Sequence, residues 1–163
     1  MMSYSLESDF LRSPVNLISG KHYFFGTSDK VPGLVDLFKE RWGDNFVQVP
    51  LPKYSQGISR LHAILSWNGD SKLGPLVSFS PERTFLSHLS RGEEERVYQS
   101  MHRFSDLPGI AESEKGFYDF CLNEVYGSEL STRLDLARVA RVQNESAFRL
   151  GPIAEYEIVG QDS

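Results

Sequence analysis

The chain has 163 residues and 18.5 kDa, with a formal net charge of −5 and a pI near 5.4. A length of this order suits one domain that buries roughly 70% of its unfolded surface and needs no staples. The acidic balance, with no Lys/Arg run, excludes a large non-specific nucleic-acid footprint, and the single cysteine, Cys121, excludes an internal disulfide.

Residues 1–19 are mixed, polar and interrupted by Pro14, so they read as a loosely attached N-terminal arm before a single domain over 20–160. Met1 to Phe10 carries Glu7 and Asp9 and lacks a basic n-region, which is unlike a signal peptide. No apolar run approaches the ~18 residues that span a bilayer. The expectation is a cytoplasmic protein with no membrane contact.

Lys21 to Phe25 is an aromatic-rich strand, ended by the turn Gly26-Thr27-Ser28-Asp29. A helix follows, with Pro32 in its first turn, Leu34, Val35, Phe38 and Trp42 at helical spacing, and Gly43 at its end. Phe46 to Val49 is a short strand, and Pro50, Pro52 and Gly57 mark a loop. Arg60 to Trp67 and Leu76 to Phe79 read as strands of a hairpin across Asn68-Gly69-Asp70. Ser80-Pro81-Glu82 carries a helix-start signal and predicts a helix to about Leu89, followed by a second over Glu93 to Phe104.

Ser113 to Tyr126 is a third helix, stopped by Gly127, in which Cys121 sits among Phe117, Phe120 and Val125 as a small buried hydrophobe. Ser128 to Leu136 reads as a short fourth. Arg138 to Leu150 is strand-like with an irregularity at Gln143-Asn144, and Ile153 to Val159 is the last strand beyond the turn Gly151-Pro152. In that strand Glu155 and Glu157 take the solvent face, and Tyr156 and Ile158 the core. Strands and helices do not alternate regularly, which predicts an α+β domain with a central mixed or antiparallel sheet and helices on its faces.

Chemistry is sparse. His22, His62, His88 and His102 form no i, i+4 pair and there is no cysteine pair, so no structural zinc site is expected. There is no G-x-S-x-G elbow, no P-loop and no G-x-G-x-x-G. The turn at Gly26, Thr27 and Ser28 is the best candidate for a ligand. Glycine lets a ligand approach the backbone, the hydroxyls supply adaptable hydrogen bonds, and the N–H groups of a following helix favour anions. A plain strand-to-helix turn capped by Ser28 or Asp29 explains the same residues.

His22-Tyr23-Phe24-Phe25-Gly26-Thr27-Ser28, followed by Val31 to Val35, resembles the first motif of the ADP-ribosyltransferases. Leu76-Val77-Ser78-Phe79-Ser80-Pro81-Glu82 is similar to their strand ending in Ser-x-Ser. Asn144-Glu145-Ser146-Ala147-Phe148, then Gly151-Pro152-Ile153, is similar to their glutamate-bearing strand and turn. The resemblance implies NAD as cofactor and a macromolecular target. It implies that Gly26 and Thr27 hold the nicotinamide amide and that Ser78 and Ser80 shape the pocket. It gives Glu145 the role of catalytic carboxylate beside the cationic sugar of the transition state. The chain departs from the family at Phe25, where His or Arg is expected.

A rival expectation is a non-enzymatic protein-binding domain such as an inhibitor, immunity protein or adaptor. Tyr54, His62, Trp67, Tyr98, His102 and Tyr126 are amphipathic residues of the kind common at interfaces. Arg133, Arg138, Arg141 and Arg149 cluster in sequence and read as solvated strand and helix faces.

Overall fold

The computed structural model describes residues 2–27, 33–54, 56–67, 74–89, 96–98, 101–104, 112–127, 133–142 and 144–162. In chain order the elements are β1 (Met2–Glu7), β2 (Val15–Leu17), β3 (His22–Phe25), α1 (Leu34–Trp42), β4 (Phe46–Gln48), β5 (Ala63–Ser66), β6 (Gly74–Ser78), β7 (Thr84–Leu89), β8 (Arg96–Tyr98), β9 (His102–Arg103), α2 (Glu112–Tyr126), α3 (Arg133–Leu136), β10 (Arg138–Val142), β11 (Ser146–Leu150) and β12 (Ala154–Asp162). They build two six-stranded sheets, ordered β2-β1-β12-β11-β7-β8 and β4-β3-β5-β6-β10-β9. The first sheet is antiparallel throughout. The second has one parallel pair, β3 with β4, joined by α1. The α+β class is as expected.

The layers follow from side-chain alternation. Tyr23 and Phe25 on β3, Leu65 on β5 and Ala140 and Val142 on β10 face Leu6, Leu86, Phe148, Tyr156 and Ile158 of the first sheet. Phe24, Ile64, Val77 and Val139 point the other way and meet the helices. There, α1 contributes Leu34 and Phe38, and α2 contributes Tyr118, Cys121, Leu122 and Val125, which recur at helical spacing. Cys121 has no exposure, and burial, with the Glu124 charge second, pushes its thiol pKa up to about 12. It packs as a hydrophobe, as its sequence context indicated. Helices were expected on both faces of one sheet. A second sheet occupies one of those faces instead.

Three expectations are corrected. Residues 1–19 are not a loose arm: Met-Ser-Tyr-Ser-Leu-Glu alternates with period two, and as β1 it pairs with both β12 and β2, burying Leu6 completely. The helix over 80–89 is absent. Ser80-Pro81-Glu82 starts only a 3-10 turn, Pro81–Arg83, after which Thr84 and Leu86 are buried and Phe85 is exposed, the alternation of a strand. The helix over 93–104 is replaced by β8 and β9, which extend one edge of each sheet. The fourth helix is confined among the described residues to α3. The turns at Ser28 to Pro32, Asn68 to Asp70 and Pro108-Gly109 lie outside the described residues. No helix among the described residues is long and apolar enough to cross a membrane.

Candidate functional site

The end of β3 is held by its neighbours' backbone. Val49 N–H donates to the Phe24 carbonyl at 3.0 Å, His62 N–H to the Phe25 carbonyl at 3.1 Å, and Thr27 N–H to the Ser59 carbonyl at 3.1 Å. Gly26 lies so close to residue 60 that a Cβ would collide with the Arg60 carbonyl oxygen and come within 2.8 Å of Phe24 Cζ. Glycine is therefore required there by the protein's own backbone. Gly26→Ala is expected to destabilise the fold by about 2–3 kcal/mol, because a backbone carbonyl has little room to yield. Urea denaturation of the variant checks this. Thr27 is buried, and Ser28 lies outside the described residues.

Ser78 and Ser80 come to the same end of the molecule. There they join a hydrogen-bonded cluster with Ser59, His62 and Thr84, whose directions are fixed by the partners. Ser59 N–H donates to His62 Nδ1 at 3.0 Å, so the imidazole proton is on Nε2 and donates to Thr84 Oγ1 at 3.0 Å. The Thr84 hydroxyl donates to the Ser80 carbonyl at 2.9 Å. Its oxygen also accepts from the Ser78 hydroxyl at 2.7 Å, and Ser78 Oγ accepts from Ser80 N–H at 3.2 Å. Ser80 Oγ and Ser59 Oγ are 2.6 Å apart. His62 has no exposure, and burial pushes its pKa down to about 4. The cluster is closed: its hydroxyls and imidazole satisfy one another and tie β5 to β6 and β7.

Glu145 does not join this end. It is exposed, with φ 70°, in the turn between β10 and β11, where its N–H donates to the Ile158 carbonyl at 2.9 Å. Two registers fix its distance. On β11, Leu150 is opposite Thr84 while Ser146 is opposite His88. On β10, Arg138 is opposite Ser78 while Val142 is opposite Gly74. Either route leaves Glu145 about four residues or more from the hydroxyl cluster, roughly 15 Å at strand rise. The three pieces named by the resemblance share the sequence order but not one cleft.

Phe25 is fully buried between the sheets, edge-on to Phe148 at 5.3 Å and to Tyr156 at 4.9 Å. His22 takes no part there. It faces the helices, stacked 4.1 Å from the Trp42 ring, with Nδ1 2.8 Å from Ser66 Oγ. Of the amphipathic residues, His62 and Trp67 belong to the core, while Tyr54 and His102 are exposed. The side chain of Tyr98 lies outside the described residues. Among the described residues no three His, Cys, Asp or Glu side chains are grouped to hold a metal ion.

Two concavities lie away from the hydroxyl cluster. A cavity of about 500 Å³ is lined by Arg103, Phe104, Lys115, Leu134, Leu136 and Arg138. A cleft of about 360 Å³, with Glu7, Asp9 and Glu157 on its walls, runs beside the end of β1. Sequence reasoning named Arg138 and missed Arg103 and Lys115, which only the pairing of β9 with β10 and the packing of α2 bring to it. Compared with protein-family models, curated proteins and solved structures, the chain shows no significant match to any of them.

Proposed function

We propose that this chain is a non-enzymatic protein-binding domain. The observation that carries the reading is Phe25: the position that the transferase resemblance would give to a polar, NAD-contacting side chain is a sealed aromatic of the inter-sheet core. The separation of Glu145 from Thr27 and Ser80 supports it. So does the surface that the first sheet turns away from the core. Phe85 is 41% exposed there, with the Arg149 guanidinium 4.5 Å above its ring and Glu155 opposite Arg149 on the next strand. Arginine and aromatic side chains of this kind are the ones enriched among interface anchors. The reading sets the domain in the cytoplasm, where a lone thiol such as Cys121 stays reduced.

The test is a thermal-unfolding series with NAD. A site with a Kd of about 50 μM would add about 2.7 kcal/mol at roughly 5 mM NAD, several degrees in Tm. The expected result is no shift and no release of nicotinamide. A second reading, an ADP-ribosyltransferase-like protein, is favoured by one observation. Thr27 and Ser80 both contact Ser59, so the first two motifs do meet. It needs an acid other than Glu145, and a Tm rise with NAD would install it in place of the first.

A further inference from the structure

The cavity between β9, α2 and α3 inverts the charge of the molecule. In a chain of net charge −5, three cations on three separate elements, Arg103, Lys115 and Arg138, converge on one concavity. Asp135 is the one acidic residue among its described walls, set against the two arginines Arg103 and Arg138. Arg103 and Arg138 are directly opposite each other on neighbouring antiparallel strands. Like charges in that register repel and lower stability. Among the described residues neither arginine has a carboxylate in ion-pair contact.

Arg138 is also held in place. Its Nη1 lies 3.1, 3.1 and 3.0 Å from the carbonyl oxygens of Asp135, Leu136 and Ala137, at the C-terminal end of α3. Those contacts fix the guanidinium at the cavity wall without neutralising it. The rest of the lining is apolar. Phe104 is buried, with the Lys115 ammonium 5.9 Å from its ring centroid, and Leu136 is 57% exposed although it is a large hydrophobe. A volume of about 500 Å³ lies within the range of small-molecule sites.

From this juxtaposition we infer that the cavity binds a phosphate monoester carrying an apolar group. A carboxylate can answer one of the two facing arginines, whereas a phosphate dianion answers both. The planar donor fork of Arg103 matches phosphate oxygens, and Arg138, its Nη1 engaged by the three carbonyls, adds its charge and its remaining donors. The ester substituent then covers Leu134 and Leu136, in front of the buried Phe104 ring. This inference stands on the cavity alone and is independent of whether the first sheet binds a protein.

Phenyl phosphate is the probe, titrated into the ¹⁵N-labelled full chain at low ionic strength, with inorganic phosphate and phenol as the separate halves. The expected result is saturable shifts at Arg103, Phe104 and Leu134 to Arg138, with phenyl phosphate about tenfold tighter than inorganic phosphate and no binding of phenol. Arg103→Gln, on an exposed edge strand, is expected to weaken phenyl phosphate about tenfold while raising the Tm of the unliganded chain by about 2 °C. A merely structural arginine would not split the two readouts in that way. Leu136→Asp should remove the advantage of phenyl phosphate over phosphate. The inference is overturned if phenyl phosphate produces no saturable shifts, if it binds no tighter than phosphate, or if Arg103→Gln leaves its affinity unchanged.

Discussion

Replacing Phe25 by histidine, the residue that the transferase resemblance would ask for, is expected to destabilise the fold by roughly 3–5 kcal/mol and to confer no affinity for NAD. Phe25 has no exposed surface, and its ring is edge-on to both Phe148 and Tyr156. Imidazole in its place gives up apolar transfer energy and the quadrupolar contacts, leaves a void, and brings two ring nitrogens into a dry interior. The hydroxyl of Tyr156, whose ring Phe25 touches, is already committed to the Pro50 carbonyl at 2.8 Å. Phe25→Leu keeps the position apolar and should cost about half as much or less. Urea midpoints for the two variants, with an NAD titration of each, check both parts. A Phe25→His protein as stable as the parent and able to cleave NAD would return the turn at Gly26 to the status of a catalytic site.

His62 carries the second large effect. Its ordinary pKa of 6.5 is pushed down to about 4 because the folded interior disfavours the imidazolium. Protonation would also break the bond from Ser59 N–H to Nδ1. Between pH 6.5 and 4 the unfolded chain therefore holds a proton that the folded chain refuses. Stability falls as pH drops through that window, by a total of about 3 kcal/mol from this residue, and is fully retained above it. His62→Leu should lose about 2–4 kcal/mol at neutral pH, because the Ser59 amide loses its acceptor and the Thr84 hydroxyl loses one of its three bonds. It should also erase this part of the acid sensitivity, so parent and variant converge as pH approaches 4. Urea denaturation of the two proteins at several pH values measures the convergence. A constant difference across that range would mean that His62 is protonated in the fold.

Where local pattern and tertiary context agreed, the sequence was legible. β3, α1 and β4 were readable because Phe24, Leu34 and Phe38 belong to elements with dense apolar periodicity and a glycine stop. The same holds for α2, and for β12 with its alternation of Tyr156 and Ile158 against Glu155 and Glu157. β7 was misread because Ser80-Pro81-Glu82 is a genuine turn-starting signal, and only the pairing of Phe148 with Leu86 across the sheet decides that the chain continues extended. β1 was missed because three of its six residues are polar, as an outer sheet face requires. The candidate site divided in the same way. Each residue was assigned to a plausible strand or turn, and Ser59 does link Thr27 to Ser80. The distance to Glu145 depends on Arg138 being opposite Ser78 and Leu150 opposite Thr84, registers between segments far apart in the chain that no local motif records.

The first sheet is closed by its most distant segments: β1 is paired with β12 from Met2 opposite Asp162 to Glu7 opposite Glu157, residues 150 to 160 positions apart. Such contacts demand that a very large loop be closed before they return any stability. During synthesis β1 must wait, with Leu6 and its alternating face unprotected, until β12, 150 residues and more later, has emerged. Only β2 is at hand to pair with it meanwhile. The interval in which that strand is without its partner is when the molecule is most exposed to mispairing with another copy.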